Sequence, residues 1–317
     1  MLDRDGNQVN AMNAKPIVFV GVATLDTIAL VDRFPGPDER VPADHILRSG
    51  GGPAATAAVT CARLGVAASF VGALGDDIEG DEVVAELRAE GVGTEGVVRV
   101  PGARTSASIV LVDRMRGTRA IVNRPPPPLR VPNASPAMEL IRQADWIHVD
   151  QVGWPTARAI IGELPTKLSI DGGNPIPGLS LASASLYAPT LQRLGERYGD
   201  LPPETLLRRA RAEGAAQVVA TSGAAGALSL DDDGVFAAVP AHRAEIVSTL
   251  GAGDVFHGAL IAAVLRGWDL RRCTAYASVV AALSCAGLDG RAAIPRHEET
   301  LAALPTLLSR FVEESSQ

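Results

Sequence analysis

The sequence predicts an α/β fold, a mainly parallel central sheet flanked by helices with a small antiparallel β-sheet inserted. Two observations carry this. Short apolar, β-branched runs alternate along the chain with helix-patterned stretches, the order that builds a parallel sheet from strand–helix–strand units. The alternation then breaks at 25–49 and 105–124, where strand patterns follow one another with no helix between them.

Pro16–Val22 is a continuous apolar run, the pattern of a strand buried on both faces. Ala68–Val71, Trp146–Val149, Leu168–Ile170 and Gln217–Ala220 repeat it. Between them, helical spacing runs over Ala54–Leu64, Asp81–Glu90, Ala137–Gln143, Thr156–Glu163 and Leu206–Ala212. It returns over Val255–Arg266, and a final helix covers roughly Glu298–Phe311. In the inserted sheet, Thr27–Arg33, Asp44–Arg48, Thr105–Val112 and Thr118–Asn123 read as strands, the last two joined by a hairpin turn at Asp113–Gly117.

The core therefore takes residues 15–24, 50–104 and 125–314, with the inserted sheet of 25–49 and 105–124 as a lid. Pro125–Pro128 return the chain stiffly to the core. A small sheet with one exposed apolar face invites a second copy of itself, so a homodimer through the lid is expected. Residues 1–14 are polar and aperiodic and read as a flexible tail, with Met12 as a second candidate start.

At 317 residues, 47% of them apolar, the chain can bury a large core. Its net charge of −7 argues against nucleic acid and anionic membranes as partners. Cys61, Cys273 and Cys285 are too few for a disulfide framework and contain no CxxC pair. With no signal peptide, a cytoplasmic location is expected. Apolar runs such as Cys273–Leu288 fall short of the ~18 residues a membrane span needs.

The most informative motif is Ser248–Gly258. Gly251 and Gly253 leave the backbone bare at the start of a helix, where unpaired N–H groups and the helix dipole favour an anion. Asp254 beside them would repel a phosphate, unless it serves to take a proton from the group attacking phosphorus. By itself, the same run also reads as an ordinary helix start.

Three further motifs sit beside it. Gly50-Gly51-Gly52-Pro53 opens a helix and reads either as a backbone pocket for a polyhydroxyl substrate, with Thr56 aimed inward, or as a tight turn and cap. Asp26, shortly after the first strand, reads as an acceptor for two sugar hydroxyls or as a turn aspartate. Thr221-Ser222-Gly223-Ala224-Ala225-Gly226 follows a buried strand and reads as a nucleotide-phosphate turn or a hairpin turn.

Other signals are negative. The GxGxxG at Gly91–Gly96 follows a helix, so it reads as a helix C-cap and loop, not a dinucleotide site. GxxxxGK[ST] and GxSxG are absent. His45, His148, His242, His257 and His297 have no metal-binding spacing, and metal ligands stay unassigned.

In this order, Gly51-Gly52, Thr221…Gly226 and Gly251-Ala252-Gly253-Asp254 resemble the PfkB (ribokinase-like) carbohydrate kinase family over about residues 16–312. The resemblance implies a three-layer α/β sandwich with a β-lid and ATP-dependent phosphorylation of a sugar hydroxyl. It makes Asp254 the base, with Gly251, Ala252 and Gly253 as the anion hole. It places Asp26, Gly50, Gly51, Gly52 and Thr56 at the sugar, and Thr221, Gly223, Gly226 and Gly290 along ATP. Magnesium is expected because ATP carries it.

The chain also departs from the family. Thr56 replaces the usual Asn. Ser248 replaces an Asp associated with a monovalent cation, which argues against potassium activation. An Asn-x-x-Glu is missing near Tyr187–Thr190. Within the family the chain resembles bacterial sulfofructose kinases, which adds Arg40 and Asn123 as substrate contacts, but an Arg expected near Gly153 for the sulfonate is absent. Arg124 is a further candidate for an anionic tail or a surface arginine. The reading is an ATP-dependent ketose kinase, acting on sulfofructose or a similar anionic fructose derivative. The alternatives are a kinase for ribose, fructose, 2-keto-3-deoxygluconate or a nucleoside, or a non-catalytic sensor on the same fold.

Overall fold

The computed structural model describes residues 15–163 and 165–314, and the tail expected at 1–14 lies outside them. The strands are β1 (Ile17–Val20), β2 (Thr24–Val31), β3 (Ala43–Gly51), β4 (Ala68–Gly75), β5 (Gly93–Val100), β6 (Ala107–Asp113), β7 (Thr118–Arg124), β8 (Trp146–Val149), β9 (Lys167–Gly172), β10 (Ala184–Pro189), β11 (Gln217–Thr221), β12 (Ala227–Leu230) and β13 (Phe236–Val239). The helices are α1 (Pro53–Arg63), α2 (Ile78–Ala89), α3 (Pro136–Gln143), α4 (Trp154–Ile160), α5 (Leu191–Tyr198), α6 (Pro203–Ala212), α7 (Ala252–Val264), α8 (Leu270–Ser284) and α9 (His297–Glu314).

A nine-stranded sheet runs β13-β12-β11-β10-β9-β8-β1-β4-β5, parallel from β11 to β5, with the hairpin β12–β13 antiparallel at one edge. Its central strand β1 is buried on both sides. Ile17 and Phe19 join a core with α1, α2, α7, α8 and α9, whereas Val18 and Val20 join one with α3 to α6. The chain winds outward through β4 and β5, then returns to lay β8 on the other side of β1. The β1/β8 pair is thus the point where strand order reverses, and the crevice beyond its carboxyl end is where such sheets bind ligands.

The second sheet has the order β3-β2-β6-β7. Its register settles which side chains share a face. On the inner face lie the rows Ser49–Asp26–Ser108–Asn123, Leu47–Ile28–Val110–Ile121 and His45–Leu30–Val112–Arg119. Ile28, Leu30, Val110 and Val112 are buried there, with Leu47, Leu250 and Leu288 packed against them. The outer face carries Ile46, Ile109 and Val122, which are 69%, 59% and 72% exposed.

Several elements escaped the sequence pattern. α8 is buried on nearly every side and so shows no amphipathic stripe. β5 begins inside the GxGxxG run. Gly91 does follow the end of α2, with its N–H on Arg88 O, but Gly93 and Gly96 are strand residues and not loop. A Cβ on Gly96 would come 2.8 Å from Phe70 O, so glycine is needed for strand contact there. Asp26 lies within β2 and not in a turn, because the small sheet already starts at Thr24.

α1 and α7 pack directly on each other. A Cβ on Gly258 would run into the Ala57 carbonyl and lie 2.7 Å from Thr60 Cβ, and the Cys61 thiol donates to Gly258 O at 3.1 Å. Near the helix ends, Arg266 donates to Leu64 O at 2.5 Å. The two helices therefore run parallel, with both N-termini at the same end. Gly258→Ala should destabilise the fold by about 2 kcal/mol through overpacking, read as a lower urea midpoint with an unchanged m-value.

Candidate active site

Three helices begin on a glycine near this crevice; the N–H of Gly153 before α4 is taken by Asp150 Oδ1 at 3.0 Å, which sets α4 apart from the other two. α2, α3, α5 and α8 are capped by the side chains of Asp77, Ser135, Thr190 and Asp269. α1 and α7 have Gly52 and Gly251 at the cap and no side-chain cap bond. Ala55 N–H is taken by Val22 O and Ala252 N–H by Thr249 O, and the other first-turn N–H groups, with the helix dipoles, are left to the crevice. Gly251 is left-handed at φ 72°, and a Cβ on it would sit 2.8 Å from Gly290 Cα. Ala252 N–H turns back to Thr249 O at 3.3 Å, whereas Gly253 is exposed and faces open space. Asp254 is the third residue of α7.

No hydrogen bond or ion pair within the described residues engages the Asp254 carboxylate, which is partly buried. Burial first, then the negative charge of Asp171, pushes its pKa up to about 7, with His257 and Arg119 pulling the other way. Beneath it lies a polar cluster that sequence spacing did not reveal. His257, one turn on from Asp254, places Nε2 3.1 Å from Asp171 Oδ1. Burial alone would raise Asp171 and lower His257, but the pair reverses both, so the carboxyl is held low and the imidazole high. His148 packs 5.6 Å from the His257 ring centre and bonds Ser169 Oγ through Nδ1 at 2.9 Å. Burial and then His257 drive it down to about 3, so it stays neutral. Asp150, at the end of β8, accepts from Val22, Val152 and Gly153 N–H at 2.7, 2.8 and 3.0 Å and ties β1 to β8. Burial raises it to about 6.

The opposite wall is built from β2 and β3. Asp26 and Thr24 are each 8% exposed, and Asp26 Oδ1 and Thr24 Oγ1 have no partner. Thr24 Oγ1 and the other carboxylate oxygen, Asp26 Oδ2, lie against the bare Cα of Gly51, where a Cβ would fill the space. Gly50 N–H donates to Glu86 at 2.6 Å, and Gly52 presses on the Val22 carbonyl. Thr56, buried in α1, accepts from Arg291 Nε at 3.2 Å. Asn123 shares the inner row of Asp26 two strands away, roughly 10 Å across the sheet. Ser108 lies between them in that row and went unnoticed in the sequence.

The remaining predicted residues are dispersed. Arg40 is exposed in the β2–β3 connection, at the far end of the ladder that joins Thr24 to Gly51. Arg124 is paired with Glu79 and donates to Thr105 O at 2.8 Å. The Thr221–Gly226 run is the turn of the β11–β12 hairpin, closed by Ser222 N–H on Gly226 O at 2.8 Å. Thr221 ends β11 at the same edge of the sheet as Asp171, and Gly223 faces open space. Gly226 is buried against Val239 O. Gly290 packs on Gly251 rather than on this turn. At the family's Asn-x-x-Glu, Tyr187 is core and Thr190 caps α5 by accepting from Arg193 N–H. Ser248 Oγ accepts from Leu250 N–H at 3.1 Å. Arg119, from the inner face of β7, donates to Thr249 Oγ1 at 2.9 Å beside the glycine run, another contact the sequence did not announce.

A carboxylate without a partner at the uncapped start of a helix, with an acceptor-rich wall on β2 and β3, is chemically suited to moving an anionic group onto an alcohol. The pfkB family carbohydrate kinase profile matches residues 14–162 and 180–296, so the chain belongs to that family. It is an ATP-dependent sugar or nucleoside kinase of the ribokinase type. It is 25% identical to the ribokinase of Bacillus subtilis, covering 89% of this chain and 97% of that one. It is 29% identical to an ATP-dependent ribose-1-phosphate kinase of Halopiger xanaduensis, covering 91% and 97%. A solved structure from Agrobacterium tumefaciens overlays with a TM-score of 0.82 at 30% identity, covering 94% of this chain and 99% of that one. The likeness to sulfofructose kinases finds no support among these relatives.

A carboxyl serving as a base must be ionised, so with Asp254 in that role kcat/KM should rise with pH through about 7. The folded pKa lies above the ordinary carboxylate value of 3.8, so the folded state binds the proton more tightly. Stability contributed by that proton is full below 3.8 and is lost as pH climbs toward about 7. Asp254→Asn should therefore raise Tm relative to the unsubstituted protein at pH 8 but not at pH 4, while abolishing turnover. A Tm difference independent of pH would contradict this.

Proposed function

We propose that this kinase transfers the γ-phosphoryl group of ATP to a primary hydroxyl of a neutral sugar bearing adjacent hydroxyls, the class that includes ribose and fructose. The observation that carries this is the pair of buried polar side chains against the bare Gly51, Thr24 through Oγ1 and Asp26 through Oδ2, with Thr24 Oγ1 and Asp26 Oδ1 left without a partner. Unpaired buried polar atoms are costly, and two of them on one strand face are what vicinal hydroxyls satisfy. An anionic sugar is the weaker reading, because the nearby cations are already engaged. Arg291 serves Gly51 and Thr56, and Arg124 serves Glu79.

In this reading Asp254 accepts the hydroxyl proton as the oxygen attacks phosphorus. The new O–P bond forms as the bond to the departing ADP breaks, and the amides of Gly251 and Gly253 stabilise charge on the moving group, Ala252 N–H being engaged by Thr249 O. Thr221, Gly223 and Gly226 flank the nucleotide, and Gly290 backs the glycine run. Magnesium fits here as a hydrated ion held largely on phosphate oxygens. Asp150 and Asp171 are occupied by protein donors, which leaves Asp254 as the unengaged carboxylate of the cluster. A monovalent cation is not part of the reading, since Ser248 Oγ is committed to its own turn.

The small sheet would close over the sugar and exclude water. Its exposed outer residues Ile46, Ile109 and Val122 would pair with a second copy, giving a homodimer.

A coupled ADP assay over ribose, fructose, sulfofructose, fructose 6-phosphate, 2-keto-3-deoxygluconate and nucleosides tests the substrate class. Turnover should be highest with a neutral sugar and lost in Asp254→Ala with ATP affinity retained. Silence across the panel would favour a sensor, and a preference for the sulfonated or phosphorylated sugars would overturn the neutral-substrate reading. For the dimer, Val122→Arg should convert the protein to a monomer by light scattering. An unchanged mass would reject that interface.

A further inference from the structure

Arg291 has no role in the site as described so far, yet it touches both halves of it. The residue is 5% exposed. Nη2 donates to the Gly51 carbonyl at 3.0 Å and Nε to Thr56 Oγ1 at 3.2 Å, while Nη1 stands 3.9 Å from Glu86. The missing Cβ of Gly50 points at Arg291 and Glu86, and that of Gly51 points at Asp26. Successive residues of a strand face opposite ways, so Arg291 and Glu86 hold the glycine loop from behind while Asp26 and Thr24 line its front.

The neighbouring residue completes the link. Gly290 is packed against Gly251, with each missing Cβ directed at the other's Cα, at 2.8 and 3.2 Å. Two consecutive residues thus contact the sugar-side loop and the phosphate-side loop. The segment is itself braced, since Arg63 donates to Arg291 O and Asp289 accepts from Arg291 N–H at 2.7 Å. Burying a guanidinium is costly, with burial lowering its pKa against Glu86 and Asp26. A purely apolar contact would have filled the space at less cost.

We propose that Arg291 is a positioning residue that clamps the Gly50–Gly52 loop against Asp26 and, through Gly290, fixes its distance from the phosphate-transfer loop at Gly251. Its kinetic consequence rests on the kinase reading above, but its structural consequence does not.

Two readouts test it. In Arg291→Met the KM for the sugar should rise by about tenfold, with KM for ATP within about twofold, as expected for losing charged hydrogen bonds that serve one loop. Arg291→Lys, which can keep the Gly51 bond, should recover part of the loss. By hydrogen exchange without substrate, the amides of residues 50–56 should exchange about tenfold faster in Arg291→Met, with those of residues 255–264 unchanged. Sugar and ATP constants that move together, or that both stay put, would overturn the proposal, as would unaltered exchange at 50–56. If Arg291→Met does not fold, Glu86→Gln carries the same readouts at a partly exposed site; it should raise the sugar KM by about threefold, and no change there would also overturn the proposal. If the unsubstituted protein phosphorylates nothing, the kinase reading fails and exchange alone decides the clamp.

Discussion

The site depends on one helix crossing. α1 and α7 approach so closely at Gly258 that the Ala57 carbonyl and Thr60 occupy the space of a side chain. Because the helices are parallel, their uncapped starts lie together, and each start carries its own glycine run. Aligning two dipoles side by side is unfavourable in isolation. It is tolerated here through close packing of small residues, Ala54, Ala55, Ala57 and Ala58 on one helix and Gly258, Ala259, Ala262 and Ala263 on the other, all of them buried. The same packing that stabilises the core therefore sets the electrostatics of the crevice.

Around that crossing the charges are graded by what each carboxylate touches. Asp150 is satisfied by three backbone N–H groups and acts as a rivet between β1 and β8. Asp171 is satisfied by His257 and the Gly173 N–H. Asp254 receives their field without a partner of its own, so the environment raises its proton affinity. Acids only a few residues or strands apart are thus given different tasks by their partners.

Much of this was legible in the sequence, and the gaps have physical causes. Gly251, Gly253 and Asp254 form one local run, so spacing alone pointed to a helix start, and the family resemblance added the expectation that Asp254 is a base. The small sheet was legible because its strands follow one another without a helix, as at Asp113–Gly117. Asp171 and His257 were not, since they meet only when α7 settles over β9, though a carboxylate at the end of a parallel strand is a signal that could have marked both Asp150 and Asp171. Arg291 was visible in the chain, but the direction of its side chain follows from the tertiary fold. α8 escaped because a helix buried all round has no polar face to set its period. Arg40 and Asp26 were both expected at the substrate, and the β2–β3 ladder carries Arg40 away from Asp26 to the opposite end of the strand pair.

The three carboxylates at the crevice bear on how a nucleotide arrives. Asp171 is offset by His257, but Asp150 and the ionised form of Asp254, on a chain of net charge −7, add to a repulsion that a polyanion meets well before contact. Encounter is then fastest for a nucleotide whose charge a divalent ion has already partly cancelled, and background salt hastens the approach by shortening the reach of that repulsion. The acidic floor acts as a filter on the ionic form of the visitor, applied at a distance and before any shape is read.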